Sequence, residues 1–296
     1  MKKVRTIIFP VGGYGTRFLP ATKAIPKEML PVAEKPLIQY AFEEAREAGI
    51  EKFIFVTGRN KNAIEDHFDN SFELQAILSD RKKKETLEKT IGWLPEAGQI
   101  VFLRQQNPLG LGHAILCAEK FIDNEPFVVS LADEMCYDSE NNFLKQMIDV
   151  VGDQNINLLG LNEVEKENVS KYGIVEPVFS NGDLIKINSM VEKPNIEDAP
   201  SNLSIVGKYI LQSEIFNYLK NTSAGSGGEI QLTDAMNEML KSTGNFYGLK
   251  FKKEEFDCGS VLGYLEANIY YALKNEKIKN SVKNIINKFY KLVNEQ

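Results

Sequence analysis

A glycine-rich loop directly follows the first apolar run of the chain, and this junction constrains the fold more than any other stretch. Residues 4–11 read VRTIIFPV, and residues 11–28 read VGGYGTRFLPATKAIPKE. The first run is rich in β-branched and aromatic residues, so it predicts a buried strand. Because glycine carries no Cβ, the backbone after such a strand can approach an anion and direct its N–H groups at it. The junction therefore predicts a phosphate-binding turn.

Positive charges behind the glycines favour a phosphate ligand over a plain turn. A dinucleotide-binding G-x-G-x-x-G would need glycine where Phe18 stands, and no lysine directly follows the glycines as a P-loop requires. For the glycines alone, a simple strand-to-helix turn is an equally good interpretation. Thr16 and Arg17, with Lys23 and Lys27 behind them, supply the polar and positively charged groups that favour a triphosphate.

The composition limits the class of protein. With 296 residues, of which 43% are hydrophobic, the chain can build one large α/β core, with or without an appended lobe. A net charge of −6 argues against a nucleic-acid or membrane-surface partner, which would call for a basic patch. No apolar run approaches the ~18 residues that span a bilayer. We therefore expect no nucleic-acid partner and no membrane partner.

Cysteines and histidines are few and widely spaced. Cys117, Cys136 and Cys258 are odd in number and lack C-x-x-C spacing, which argues against a disulfide framework and a zinc site. The two histidines, His67 and His113, are too far apart for a histidine-based metal cluster. The short apolar run at the N-terminus ends in a glycine turn, so it reads as a strand and not as a signal peptide. These features predict a cytoplasmic protein.

Strand and helix patterns alternate, which predicts an α/β fold with a mostly parallel sheet flanked by helices. Strands are predicted at residues 4–11, 52–58, 99–105, 127–134, 156–164, 172–178, 184–194, 203–211 and 246–259. Helices are predicted near residues 36–48, 61–68, 71–91, 110–121, 212–220, 229–242, 260–275 and 279–294. The last of these helices carries an apolar stripe, which must pack on the body of the protein or on a second subunit.

Acidic residues end two of the predicted strands. Asp133 follows the apolar run at 127–132, and Asp257 precedes a cysteine and a glycine. In open α/β sheets, ligands bind at the carboxyl ends of strands. Two carboxylates near a triphosphate could hold Mg²⁺, with Glu134 competing for the role of Asp133. For either aspartate alone, a helix N-cap or turn former is the better interpretation.

Other polar residues of the predicted sheet admit two interpretations each. Lys27 could act with Arg17 along a polyphosphate, or be an ordinary surface lysine. Glu192 and Lys193 are expected on opposite faces of a strand, where they could grip sugar hydroxyls and a phosphate or form surface ion pairs. Gln105 could match the edge of a pyrimidine base, but a polar loop is the stronger interpretation from spacing alone.

A series of blocks covers nearly the whole chain in order. The blocks are GYGTRFLPATKAIPKEMLPV (13–32), KPLIQYAFEEAREAGI (35–50), FDNSFEL (68–74), GLGHAILCAE (110–119), VEKP (191–194), APSNLSIVGKYIL (199–211), GGEIQLTDAM (227–236) and DCGSVLGYLEA (257–267). Together they closely resemble the bacterial UTP–glucose-1-phosphate uridylyltransferase family. The first block is long and specific, and it argues against a thymidylyltransferase, which shares only the G-T-R and the lysine pattern.

This resemblance implies a Rossmann-like nucleotidyltransferase fold of the glycosyltransferase-A type. The implied reaction converts UTP and α-D-glucose 1-phosphate into UDP-glucose and pyrophosphate, with Mg²⁺. The implied catalytic residues are Arg17 on the leaving pyrophosphate, Lys27 on the α-phosphate, and Asp133. The implied metal ligands are Asp133 and Asp257.

The resemblance also assigns binding residues. Those for the nucleotide are Val11, Gly12, Gly13, Gly15, Thr16, Gln105 and Gly112, with Gln105 reading uracil and Gly112 offering backbone to the base or ribose. Those for the sugar phosphate are Gly173, Glu192 and Gly207 at the glucose and Lys193 at its phosphate. We expect one nucleotidyltransferase domain over residues 1–275, with a nucleotide half at about 1–135 and a sugar-phosphate half at about 136–275. A C-terminal amphipathic helix at 276–296 and a homodimer or homotetramer complete the expectation.

Two departures from the family pattern are present. The family usually has alanine before its Gly-x-Gly, where this chain has Val11 and Gly12, and it usually has proline before the metal aspartate, where Ala132 stands. Both departures keep the glycines and the acid. A catalytically weak paralogue that binds nucleotide sugars is a further alternative. Such a protein would be expected to have lost a loop cation or a metal acid, and here they are all present.

Overall fold

A mixed sheet of nine strands organises the computed structural model, which describes residues 3–136, 142–225, 228–251 and 254–294. The strands in chain order are β1 (Thr6–Val11), β2 (Pro31–Val32), β3 (Lys35–Pro36), β4 (Lys52–Thr57), β5 (Ile100–Arg104), β6 (Phe127–Ser130), β7 (Glu134–Met135), β8 (Asn157–Glu163), β9 (Gly173–Asn181), β10 (Leu184–Glu192), β11 (Leu203–Leu211), β12 (Phe246–Lys250) and β13 (Phe256–Asp257). The large sheet has the order β5-β4-β1-β6-β11-β8-β12-β10-β9, and the pairs β2–β3 and β7–β13 are separate.

Helices cover both faces of this sheet. They are α1 (Leu37–Glu47), α2 (Asn62–His67), α3 (Phe72–Asp80), α4 (Lys84–Ile91), α5 (Leu111–Leu116), α6 (Phe143–Val151), α7 (Ile215–Asn221), α8 (Leu232–Thr243), α9 (Val261–Lys274) and α10 (Lys279–Asn294). Alternate residues of β1 face opposite ways, so Ile8 packs with α5, α7 and α8, whereas Ile7 and Phe9 pack with α1 and α6. The core therefore has two layers, one on each side of the sheet.

Strand direction explains how distant residues reach one edge. β10 and β11 run against their neighbours, and the other strands of the large sheet all point the same way, which confirms a mixed, mostly parallel sheet. β1 lies directly beside β6 in parallel register, from Thr6 opposite Phe127 to Ile8 opposite Val129. The glycine loop after β1 and the acidic turn after β6 consequently emerge at the same edge.

The small β7–β13 pair brings the second acidic segment to that edge. Asp257 of β13 lies opposite Glu134 of β7 in antiparallel register. The backbone N–H of Cys258 also donates to the carbonyl of Asp133 at 2.7 Å. The two predicted strand-end aspartates are therefore neighbours, although they lie far apart in the sequence.

Some predicted elements differ from the observed ones. The strand predicted at 127–134 ends at Ser130, so Asp133 stands in the turn that follows. The helix predicted at 71–91 is two helices, α3 and α4. The strand predicted at 246–259 is divided into β12 and β13, and its residues 252 and 253 lie outside the described residues. The prediction also missed α6, which begins at the cap Asn142, where the side chain accepts from the amide of Lys145 at 2.8 Å.

The predicted C-terminal helix is present as α10 and carries its apolar stripe on the surface. It packs against α9, yet Ile285, Phe289, Leu292 and Val293 are each more than half exposed. Within the described ranges, no helix combines the length and apolar character needed to cross a membrane.

Candidate active site

The glycine loop folds back on itself after β1 and delivers Lys27 to the sheet edge. Three short 3₁₀ turns form it, at Thr16–Phe18, Ala21–Lys23 and Lys27–Met29. Gly15 has φ +63°, and a Cβ built there would lie 3.1 Å from the Cβ of Lys27, so the fold-back requires glycine at this position. The hydroxyl of Thr22 donates to the Gly15 carbonyl at 2.7 Å and closes the loop.

A short ion pair joins this loop to the end of β6. Lys27 Nζ lies 2.5 Å from Asp133 Oδ2. Burial acts to lower the pKa of Lys27, but the carboxylates of Asp133 and Glu28 outweigh it and raise this pKa. Burial likewise acts to raise the pKa of Asp133, and the Lys27 ammonium outweighs it and holds this pKa below its ordinary value. Both groups therefore keep their charges in a partly buried place.

Asp133 and Asp257 face each other across Gly259, and the space between them fits a hard cation. A Cβ built on Gly259 would lie 2.8 Å from Asp133 Oδ2 and 2.8 Å from Asp257 Oδ1, so no more than twice that distance separates these oxygens. Among the described residues, no cluster of three or more histidine, cysteine or acidic side chains has the arrangement of a metal site. Mg²⁺ is usually bound by one or two carboxylates together with phosphates and waters, so this pair fits it.

Arg17 is an exposed cation beside the two aspartates. Its Nη1 atom lies 3.5 Å from the same built Cβ on Gly259, beside both aspartates. Lys23, the third cation of the loop, is also exposed but does not line the cleft described below. The structure thus separates Arg17 and Lys27, which reach the acids, from Lys23, which does not.

Glu134 and Glu255 extend the acidic region behind the two aspartates. Burial, and then the neighbouring carboxylates of Glu255 and Asp133, raise the pKa of Glu134 well above its ordinary range. Its Oε2 accepts a hydrogen bond from the backbone N–H of Gly207. Burial, and then the charge of Asp257, raise the pKa of Tyr172 to about 12. As the pH falls, the carboxylate of Glu134 therefore becomes protonated before that of Asp133.

The other end of the site gathers Gly173, Glu192, Lys193 and Thr233. The Thr233 hydroxyl donates to Glu192 Oε2 at 2.7 Å, and Lys193 Nζ lies 3.0 Å from Glu192 Oε1. The expectation that Glu192 and Lys193 point to opposite faces is wrong, because β10 ends at Glu192 and Lys193 adopts φ +46°. A Cβ built on Gly173 would lie 3.2 Å from Glu192 Oε2, so the glycine leaves room beside the carboxylate.

One cleft of about 820 Å³ connects the two ends. Of the predicted site residues, those that line it are Arg17, Asp133, Gly173, Glu192, Lys193 and Asp257. Gly207 lies behind Glu134, which lines the cleft: a Cβ built on Gly207 would lie 2.9 Å from Glu134 Oε2. Its amide points to Glu134, so the predicted contact of Gly207 with a sugar stays a prediction.

The remaining predicted residues cluster around the end of β1, beside the cleft. Gln105 is buried, and its Oε1 lies 3.0 Å from a Cβ built on Gly12. The Gly112 N–H donates to the carbonyl of Ile230 at 2.9 Å, so a predicted contact with a base or ribose through this N–H would require the bond to change. Val11 is buried at the strand end, whereas Gly13 and Thr16 are exposed.

Sequence reasoning missed several residues of the cleft. Thr233 is the second residue of α8 and belongs to the block GGEIQLTDAM, whose residue Gly227 lies outside the described residues, and that block was the available signal. Tyr172 begins the predicted strand at 172–178 and Glu255 lies inside the predicted strand at 246–259, but neither pattern indicated a site residue. In the sequence, Gly259 is a glycine shortly after Asp257, and nothing there predicted that it lies between the two aspartates.

Comparisons with known proteins agree with this geometry. The family model of nucleotidyl transferases matches residues 6–274. UTP–glucose-1-phosphate uridylyltransferase 2 of Staphylococcus saprophyticus is 45% identical over 288 residues, which cover 97% of this chain and 99% of the relative. The chain belongs to the UTP–glucose-1-phosphate uridylyltransferase family. The enzyme of the same name from Staphylococcus epidermidis is 44% identical, with 97% of this chain and 98% of the relative covered.

Solved structures of this family share the fold. A UTP-bound UGPase from Acinetobacter baumannii matches with a TM-score of 0.88 and 40% identity, covering 96% of this chain and 98% of that one. A UDP-glucose pyrophosphorylase complexed with UDP-glucose matches with a TM-score of 0.82 and 44% identity, covering 92% and 100%. The resemblance of the sequence blocks to the uridylyltransferase family is thereby confirmed, and so is the nucleotidyltransferase fold.

Proposed function

We propose that this protein transfers the uridylyl group of UTP to α-D-glucose 1-phosphate, forming UDP-glucose and pyrophosphate. The observation that carries the proposal is the single cleft that joins Arg17, Asp133 and Asp257 to Glu192 and Lys193. Its acidic and cationic end suits a metal triphosphate, and its other end offers a carboxylate for hydroxyls beside an exposed lysine for a phosphate. Relatives that bind UTP and UDP-glucose support the choice of substrates.

The reaction we propose is an in-line displacement at the α-phosphorus. A phosphate oxygen of glucose 1-phosphate forms a new bond to this phosphorus while the bond to the bridging oxygen of pyrophosphate breaks. The nucleophile is already an anion, so no side chain has to remove a proton. Lys27 neutralises charge at the α-phosphate, and Arg17 neutralises the leaving pyrophosphate. Catalysis is then positioning and charge neutralisation by groups that the fold holds in advance.

Asp133 and Asp257 are the residues that would hold Mg²⁺. The support is the space between their carboxylates, which only a glycine at position 259 leaves open. When bound, the ion neutralises phosphate charge. The Lys27 ammonium contacts Oδ2 of Asp133, the oxygen that borders this space, so the same carboxylate would serve both the lysine and the metal.

Binding roles follow the two ends of the site. For the nucleotide we propose the loop residues Val11, Gly12, Gly13, Gly15 and Thr16, together with Gln105 at the base and Gly112 near the base or ribose. For the sugar phosphate we propose Gly173, Glu192, Lys193 and Gly207. This division corresponds to a nucleotide half at about 1–135 and a sugar-phosphate half at about 136–275 of one domain.

A pyrophosphate-release assay tests this function. Purified protein is incubated with glucose 1-phosphate, Mg²⁺ and one of UTP, dTTP, CTP, ATP or GTP. We expect release with UTP well above release with the others, its loss on chelation with EDTA, and its return when Mg²⁺ is added in excess. A stronger rate with any other nucleotide would overturn the choice of UTP. An undiminished rate in EDTA would overturn the metal.

The exposed apolar stripe of α10 supports a homodimer or homotetramer. Leu292 and Val293 are 52% and 76% exposed, which is costly for side chains of this kind unless another surface covers them. Sedimentation of the full chain, and of the variant Leu292→Glu, measures this directly. A monomer at micromolar concentration would contradict the proposal.

A further inference from the structure

The orientation of the Gln105 amide is fixed by two acceptors on its nitrogen. Gln105 Nε2 lies 3.0 Å from the carbonyl oxygen of Gly110 and 3.0 Å from Nδ1 of His113. A carbonyl oxygen can only accept, so the nitrogen and not the oxygen of the amide must face Gly110. Its second hydrogen then points at His113, and both amide hydrogens are used inside the protein.

The amide oxygen is left for a ligand. In the part of the chain that the structure describes, no hydrogen bond to Gln105 Oε1 is formed, and this atom faces Gly12 at the end of β1. A side chain at position 12 would crowd it, because a Cβ there would lie 3.0 Å away. Gly12 therefore leaves the oxygen accessible from the side of the glycine loop.

From this we infer that His113 is a positioning residue for base selection: it holds Gln105 so that the amide presents an acceptor to the base. The inference rests on the proposed function, in which Gln105 contacts uracil. Uracil carries a hydrogen on ring nitrogen N3, which an acceptor can receive, whereas cytosine carries a lone pair there. An amide fixed with its oxygen outward therefore discriminates against CTP, since two acceptors would face each other.

The proton of His113 has a defined place in this arrangement. To accept from Gln105, the ring must keep Nδ1 bare and carry its hydrogen on Nε2. The other histidine gives a useful contrast, because Nε2 of His67 lies 3.1 Å from Oε1 of Gln39. There the imidazole contacts the oxygen of the glutamine, so its nitrogen is the donor. At His67, away from the site, the histidine donates to the glutamine, whereas at His113 the glutamine donates to the histidine.

Substitutions at position 113 separate positioning from packing. In His113→Asn the side-chain oxygen takes the place of Nδ1 and still accepts, whereas His113→Leu keeps much of the bulk without an acceptor. The measurement is the ratio of kcat/KM for UTP to kcat/KM for CTP, by pyrophosphate release with glucose 1-phosphate. We expect His113→Asn to keep this ratio, and His113→Leu to lower it roughly tenfold or more, because a buried donor loses its partner. His67→Leu is the matched control, with an unchanged ratio.

Equal losses for UTP and CTP in His113→Leu, with the ratio preserved, would show a packing role only and would overturn the inference. A second measurement needs no variant at the site. Since the chain has two histidines, ¹⁵N-histidine labelling gives two sets of imidazole signals, which His67→Leu assigns. A proton on Nε2 of His113 supports the inference, and a proton on Nδ1 overturns it. No turnover of UTP in the unaltered protein would instead overturn the proposed function, and the tautomer would still decide whether His113 accepts from Gln105.

Discussion

At each end of the cleft a carboxylate that lines it is paired with a lysine, but the two pairs are built differently. Lys27 and Asp133 are separated by 106 positions in the sequence, and their side chains are 22% and 17% exposed. Lys193 and Glu192 are adjacent, and the lysine side chain is 53% exposed. The first pair is a tertiary contact that ties the glycine loop to β6. The second is a local contact at the end of one strand.

This difference separates a preorganised cation from an adaptable one. Lys27 is held by burial between Asp133 and Glu28, so its charge is in place before a substrate arrives. Lys193 can leave Glu192 at little cost, because an exposed ion pair contributes only about 0–1 kcal/mol. We therefore expect changes at the first pair to act on turnover and changes at the second to act on substrate binding.

Removal of Asp133 should have the largest effect. Asp133→Ala deletes a proposed metal ligand and the partner of Lys27 together, so we expect kcat to fall by roughly 10³-fold or more, on the scale of the loss of a preorganised charged group. Steady-state kinetics with UTP and glucose 1-phosphate measures this. The circular dichroism spectrum should be unchanged. A near-normal rate would contradict the role of Asp133.

Removal of the Lys27 charge should come next. Lys27→Ala keeps the acids but removes the cation that we propose for the α-phosphate, so we expect a fall in kcat of roughly 10²–10³-fold. Lys23→Ala is the matched control, because Lys23 is an exposed lysine of the same loop that, among the described residues, forms no ion pair with Asp133 or Asp257. If both variants lost activity equally, the loop would act through its total charge and not through Lys27.

Truncation of Lys193 should act mainly on KM. Lys193→Ala removes the exposed cation that we propose for the phosphate of glucose 1-phosphate, so we expect its KM to rise about tenfold with kcat changed less, as for a lost binding contact. Lys186→Ala, at an exposed lysine of the same strand, serves as the control. A fall in kcat with an unchanged KM would show that Lys193 is as preorganised as Lys27, and would remove the distinction between the two ends.

The smallest effect is expected at Thr233, which orients Glu192. Thr233→Val keeps the shape but removes the hydroxyl that donates to Glu192 Oε2 at 2.7 Å. We expect kcat/KM for glucose 1-phosphate to fall roughly 3- to 10-fold, the scale of the net contribution of one ordinary hydrogen bond. Thr233→Ser should restore it. A loss in Thr233→Ser with none in Thr233→Val would show that the methyl group, and not the hydroxyl, supports the site.

The two pairs also differ in how far the sequence predicts them. Asp133 and the glycine loop were predictable as neighbours, because parallel strands bring their carboxyl ends to one edge and both segments follow apolar runs. The direct contact of Lys27 with Asp133 was not, since it depends on the three 3₁₀ turns that fold the loop back. Propensity and periodicity carry no information on such a path.

The end of the cleft at Glu192 and Lys193 shows where the local sequence pattern fails as a predictor. A strand rule placed Glu192 and Lys193 on opposite faces, but the strand ends between them and the positive φ of Lys193 turns its side chain toward its neighbour. Thr233 reaches Glu192 from α8, and the carbonyl of Tyr172, the residue before β9, accepts from the backbone N–H of Lys193 at 3.0 Å. Their meeting depends on the long β9–β10 ribbon, whose register shifts twice near Ile187. Contacts of this kind are set by tertiary packing and not by spacing.

The fate of the α-phosphorus of UTP tests the central claim most directly. The protein is incubated with UTP labelled with ³²P at the α position, unlabelled glucose 1-phosphate and Mg²⁺, and the products are separated. Our account predicts that the label appears in UDP-glucose in step with the release of unlabelled pyrophosphate. Label that stays in UTP or UMP, with no labelled UDP-glucose formed, would contradict it.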